Sequence, residues 1–262
     1  MKTIMKTIKE IFLYREMIIG LVRKDLRGRY KGTFLGFLWT FVNPLLQLGV
    51  YTIVFSTIIP SHIERFYLHL FVALIPWLFF ATSLNEGCAV IWSNKEMIKK
   101  IYFPREVLPI ALVIGAFVNM LFSFVVVFIV IFISGVTINP AAILCLPLFL
   151  IMEFILALGI VFIVSAVTVY FRDLQHIFGI LTMAWMFFTP IVYSFDIIPE
   201  HLRPVFIINP MTPVIIGIRD ILYYARMPQL ETLVRGYGLA FLVLFIGFFV
   251  FTKLKKHFAE EL

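Results

Sequence analysis

Two sets of polar and aromatic side chains recur at helical spacing inside otherwise apolar stretches. Thr40, Asn43, Gln47 and Tyr51 stand at i, i+3, i+7 and i+11, with Trp39 beside them, and Thr182, Trp185, Thr189 and Tyr193 repeat the spacing. Each set therefore shares one face of a helix. Hydroxyls and amides exchange hydrogen bonds with sugar hydroxyls, and aromatic rings present apolar faces that match axial C–H groups. A pair of such faces suits a pathway for a polyhydroxylated substrate. The spacing is equally compatible with polar helix–helix packing in a membrane. A third set, Arg23, Lys24, Arg27, Arg29 and Lys31, precedes the first apolar stretch and offers cations to a phosphate-bearing lipid headgroup.

The chemistry that is missing narrows the class. The chain has no GxxxxGK[ST] loop for ATP, no GxSxG and no HExxH. No clustered carboxylates suit a metal opposite a pyrophosphate, and the five histidines lack ligand spacing. Cys88 and Cys145 lie in separate apolar segments and suggest no disulfide framework. The expectation is a chain that is not an enzyme and holds no cofactor or metal. Two carboxylates fall inside apolar stretches: Glu86, near enough to an end to reach the interface, and Glu153, deeper and the stronger functional candidate.

These residues need elements to position them. Hydrophobic residues are 62% of the 262 and charged ones 14%, against about 25% charged in soluble domains. No soluble fold of this size hides that much apolar surface, so the surplus faces lipid. Six stretches are candidates to cross a roughly 30 Å hydrocarbon core: 34–59, 67–92, 107–134, 141–170, 177–193 and 232–252. Pro44, Pro147 and Pro190 fall inside spans, where neighbouring helices must satisfy the freed carbonyls. The expected fold is all-α and polytopic, a single transmembrane domain over 1–262. It comprises an interfacial segment (1–33), a six-span bundle (34–252) and a tail (253–262).

With the N-terminus inside, 17 of the 22 lysines and arginines fall on the inner side and five outside. This asymmetry predicts cytoplasmic termini. The long charged region before the first apolar run is unlike a cleavable signal peptide. Over 11–30, apolar residues recur at helical spacing opposite Arg15, Glu16 and most of the cations. That pattern predicts an amphipathic helix in the membrane surface. Gly28, Gly32 and Gly36 mark where the chain turns from surface to span. Residues 194–231, with five prolines, are too interrupted to span and too apolar for a solvated loop. They read as two short re-entrant helices in the outer half of the membrane, buried against protein at the mouth of a pathway.

Four stretches together resemble one family. These are DLRGRYKGTFLGFLWTFVNPLL (25–46), KKIYFPREVLPI (99–110), VYFRDLQHIFGILTMAWMFFTPIVYS (169–194) and INPMTPVIIGIRDIL (208–222). In this order they resemble the ABC-2 type polysaccharide-export permeases, a group of O-antigen, capsular polysaccharide and teichoic-acid exporters, and most of all its O-antigen branch. The resemblance implies a homodimer working with two separate ATP-binding subunits, which bind the ATP and Mg. It implies export of lipid-linked polysaccharide across the bacterial inner membrane, with membrane lipids but no nucleic acid as further partners.

It also implies a coupling helix around Glu96 to Phe103, with Lys99, Lys100, Tyr102 and Arg105 beside it and Arg172 and Asp173 on the 171–176 turn. The external segment would gate the exit through Asn209, Pro210, Pro213, Arg219 and Asp220. Alternatives are capsular or teichoic-acid export, a small-molecule ABC-2 exporter, or a membrane enzyme of polyprenyl-linked glycans. The last would need an acidic metal site that the sequence does not display.

Overall fold

A computed structural model describes residues 9–29, 31–54 and 63–262. The described chain is helical throughout, without strands. Helix α1 covers Arg15–Gly28, α2 Trp39–Ile53, α3 Phe66–Ser93 and α4 Lys95–Lys100. Helix α5 covers Val107–Ile133, α6 Leu146–Tyr170 and α7 Leu174–Phe187. Helices α8 (Arg203–Ile208), α9 (Met211–Leu222) and α10 (Leu230–Leu254) follow.

Among the described residues, four segments are long and apolar enough to cross a membrane: Phe66–Ser93, Val107–Ile133, Pro140–Tyr170 and Leu230–His257. The other two expected spans are shorter as helices. Helix α2, with 15 residues, extends roughly 22 Å, and the end of its predicted stretch, 55–59, lies outside the described residues. Helix α7 has 14 residues, ending six before the expected limit of 193. Pro190 limits it, because the residue before a proline is pushed out of the α region. The fourth span begins with a separate turn, Pro140–Ile143, capped by the Asn139 side chain, before Pro147 enters the first turn of α6.

Helix α3 is mostly apolar and is buried on most of its surface. It packs against α2, α5, α6, α7 and α9 and forms the axis of the fold. Helix α10 lies along α6, and their contact is made by glycine. A Cβ placed on Gly247 would sit 2.1 Å from the Gly159 carbonyl oxygen, and one on Gly159 would sit 2.6 Å from the Leu244 nitrogen. Small residues thus bring two backbones together, as membrane helices do where lipid offers no hydrophobic drive for association. The outward face of α10 carries Phe241, Leu242, Phe245 and Phe249, all exposed and suited to lipid.

Helix α1 lies against α5. Ile18 is buried, with Tyr14, Met17, Leu21 and Val22 packed around it, while Arg23, Lys24 and Arg27 are exposed. The chain then turns into α2 with Gly32 at φ +82° and Gly36 at φ +50°, left-handed conformations that glycine adopts without steric cost.

Candidate functional site

The first polar stripe lines a cleft between helices. Trp39, Thr40, Asn43 and Gln47 of α2 line a space of about 280 Å³ closed by α3 and α5. Tyr51, one turn beyond, packs instead against the apolar core. Thr40 donates to Asn119 Oδ1 at 3.2 Å, and Ser123 donates to the carbonyl of Asn119 at 3.1 Å. Asn119 and Ser123 of α5 and Thr82 of α3 complete the polar lining. The sequence reading missed them, although a signal was present. Asn119 and Ser123, four apart on an otherwise apolar span, share a helix face.

Arg29 and Glu86 sit where this cavity meets a second one of about 520 Å³ beneath α1, lined by Lys24, Asp25, Asn94 and Leu112. The Arg29 guanidinium grips Glu86 with two bonds, at 3.0 and 2.6 Å, and Asp25 with a third at 2.9 Å. Burial alone would lower the Arg29 pKa; the two carboxylates outweigh it and raise it. Parallel charge-assisted bonds of this kind fix geometry as well as charge. Asp25 in turn rests on α5, where a Cβ on Gly115 would meet its carboxylate at 2.7 Å. Of the five proposed headgroup cations, Arg29 is therefore engaged within the protein. Arg23, Lys24, Arg27 and Lys31 are exposed, and Arg27 and Lys31 share a shallow surface hollow with Phe37.

The second stripe is tied to the 194–231 segment. Asn209 is buried and makes four bonds. Its Oδ1 accepts from Trp185 Nε1 at 2.9 Å and from the Met211 amide at 3.0 Å. Its Nδ2 donates to the Phe188 carbonyl at 2.8 Å and to Thr189 Oγ1 at 2.9 Å. All donor and acceptor positions of this amide are met, the condition under which a buried polar group stabilises. Thr182 bonds back to the Phe178 carbonyl at 2.7 Å, and Tyr193 donates to the Phe187 carbonyl. These are packing bonds, and the outward face of α7 is apolar, with Ile180, Met183 and Phe187 exposed.

Within the same segment Pro210 precedes α9 as its cap, and Pro213 is buried in the helix's first turn. Arg219 is 3% exposed and donates to the Ile191 carbonyl at 2.9 Å. Burial brings its pKa down to about 10. Asp220, also 3% exposed, accepts from Arg226 at 2.7 Å.

At the opposite end of the bundle, α4 occupies the first part of the expected coupling segment. Helix α4 stops at Lys100, and Ile101 is extended; Pro104 disfavours helix at Phe103. Glu96 and Lys100 pair at 3.4 Å on its surface, and Lys99 is exposed. Tyr102 is 88% exposed while its neighbour Phe103 is buried. The Arg105 guanidinium lies 5.0 Å from the Phe103 ring centroid. Trp92 collects two further cations. The Arg172 guanidinium carbon is 3.3 Å from its ring centroid and the Lys95 ammonium 4.8 Å. Arg172 and Asp173 are themselves exposed. Glu106, fully buried, is met by Lys255 at the end of α10. Glu153 is buried in α6, and neither carboxylate oxygen has a partner among the described residues.

An α-helical membrane bundle with a polar cleft, a basic surface helix and exposed cations at one end fits a membrane transport subunit. Residues 17–223 match the family model for the ABC-2 type transporter, and the chain belongs to that family. It is 32% identical to the O-antigen export system permease protein RfbA of Myxococcus xanthus over 259 residues, 98% of this chain and 99% of that one. It is 30% identical to an O-antigen export system permease protein RfbA of Klebsiella pneumoniae over 247 residues, 94% and 95% of the two chains.

Proposed function

We propose that this chain is the membrane subunit of an ATP-driven exporter that moves a lipid-linked polysaccharide of the O-antigen type across the bacterial inner membrane. The observation that carries the substrate class is the end-to-end match to permeases named for O-antigen export. The geometry supports a route for it. In this reading α2 and α7 complete six spans, both termini are cytoplasmic, and two copies of the chain assemble with two ATP-binding subunits that hold ATP and Mg. Exposed Arg23, Lys24, Arg27 and Lys31 attract the phosphates of the carrier lipid. The glycan then follows the polar lining of the α2–α3–α5 cavity, and the 194–231 segment gates the outer end.

The ATP-binding subunits act from outside the membrane, so their motion must reach the spans. Trp92 ends α3 and is held by Lys95 of α4 and by Arg172 of the 171–176 turn. Each cation–π contact is worth about 0.5–1 kcal/mol at an exposed site, and together they tie the two cytoplasmic loops to the end of α3. Exposed Tyr102 and half-buried Arg105 beside α4 supply the docking surface. Trp92→Ala is expected to leave ATP hydrolysis by the assembled transporter within twofold of normal and lower glycan export at least tenfold. Trp92→Phe keeps a ring and is expected to retain most export. Arg172→Glu is expected to uncouple in the same way. Unchanged export in both Trp92→Ala and Arg172→Glu would remove the coupling role.

A further inference from the structure

At the end of the bundle that the proposed topology places outside lies a second polar cavity, about 370 Å³, built by residues 194–196, α9, the turn before α10 and the start of α10. This volume falls near the lower end of the range of about 300–1,000 Å³ for small-molecule sites. Two arginines from different helices line it, Arg219 of α9 and Arg235 of α10. Each has a buried Nε–H with no hydrogen-bond partner among the described residues. Arg219 spends another nitrogen on the Ile191 carbonyl, and Arg235 stands 3.8 Å from Glu231, so both guanidiniums are oriented while one donor on each is left over. Buried donors without acceptors are costly. Both arginines that carry them line one cavity, which marks it as a place where a ligand oxygen belongs.

The charge of the cavity selects among oxygen ligands. Arg219, Arg226 and Arg235 are matched by Asp196, Asp220 and Glu231. Asp220 is already spent on Arg226, at 2.7 and 2.9 Å. Asp196 and Glu231 are exposed acceptors at the rim. An incoming anion would gain from the arginines and lose against the rim carboxylates. A neutral polyol meets both, accepting from the guanidinium N–H groups and donating to the carboxylates. Tyr224 and Phe195 also line the cavity and offer ring surface to sugar C–H groups.

We propose that this cavity is a binding subsite for a neutral sugar unit of the glycan as it leaves the membrane domain. The inference rests on the glycan-export reading and adds a place where the chain is held on the outer side. A subsite at the exit would favour forward movement, because a sugar held there is withdrawn from the pathway behind it.

The test is saturation-transfer NMR on the full chain in lipid nanodiscs. The probes are the neutral disaccharides maltose and mannobiose and, separately, the anions glycerol 3-phosphate and glucuronate. Transfer is expected to the neutral disaccharides, with at least fivefold loss in Arg235→Gln and in Glu231→Gln. These residues stand at the cavity edge, so their replacement spares the buried Arg219 packing. A normal thermal transition in each variant establishes that it folds. Transfer to glycerol 3-phosphate or glucuronate alone, transfer to neutral sugars that both variants retain, or no transfer at all would each overturn the subsite. Glycan export by the same wild-type chain is scored in parallel. If export is intact and no sugar is held, only the subsite falls. If the assembled transporter neither exports nor responds to glycan, the export reading falls.

Discussion

Replacing Gly247 by alanine is expected to destabilise the protein by about 3 kcal/mol and to abolish export. The added methyl would lie 2.1 Å from the backbone oxygen of Gly159, where no rotamer change can relieve it. Overpacking of this kind typically costs about 1–3 kcal/mol, more when backbone must move. Helix α10 would have to separate from α6, and with it would go the Tyr170 bond to the Leu254 carbonyl at 2.8 Å. Gly238 provides an internal control on the same helix, since a Cβ there meets nothing within 4 Å. Gly238→Ala should leave the thermal midpoint in detergent unchanged or slightly raised, given alanine's better helix propensity. Equal effects of the two substitutions would show that the α6–α10 contact is not what holds the bundle together.

The second large effect is expected at the junction of α1 and α3. Glu86→Arg sets two guanidiniums against each other where three charge-assisted bonds now meet. Hydrogen bonds to charged groups are worth about 1.5–3 kcal/mol each when partly buried. Glu86 is 40% exposed, so solvent screening discounts the total and about 2 kcal/mol is expected for the pair. That is sufficient to release the end of α1 from the bundle. Export should fall at least tenfold in Glu86→Arg and in Arg29→Glu. The double exchange should recover part of it, and not all, because Asp25 would then face a glutamate four residues on. Export by the exchanged protein no better than by either single variant would mean the ion pair does not position α1.

Arg29 illustrates what the sequence could and could not disclose. The cationic stretch, its helical spacing and the glycines after it are local features, so α1 and its turn into α2 were legible. That one of the five cations is bound to Glu86, 57 residues away, depends on how α1 docks on α5, which no local pattern contains. The first polar stripe was legible as a face. Its partners Asn119 and Ser123 were visible as isolated polar residues in an apolar span and went unweighed. The second stripe was legible as spacing, but its meaning turns on Asn209, which Trp185 and Thr189 meet only once the 194–231 segment folds back.

Helix packing by glycine was a further blind spot. Gly236, Ala240 and Gly247 are the buried small residues on the inner face of α10, a pattern that composition hides, because glycine in a membrane helix reads equally well as a flexible point. Apolarity makes the α7 span read too long because it continues past the helix through Phe188, Ile191 and Val192; there the Phe188 ring meets Phe206 of α8 and the Ile191 carbonyl accepts from Arg219 of α9. The two unspent arginine donors could not be anticipated at all. Sequence supplies a side chain's donors, and only the fold says which acceptors reach them.

The central claim is that this chain provides the membrane path and a separate subunit supplies the hydrolysis. Reconstitution in proteoliposomes tests it most directly, with the chain present alone or with its co-purified ATP-binding subunit. ATP turnover is measured together with the appearance of a lipid-pyrophosphate-linked O-polysaccharide on the far side. The account predicts no hydrolysis by the chain alone, hydrolysis by the complex that the lipid-linked glycan stimulates, and glycan transfer only when ATP is present. Transfer without ATP, or hydrolysis stimulated by small amphiphiles and indifferent to the glycan, would contradict it.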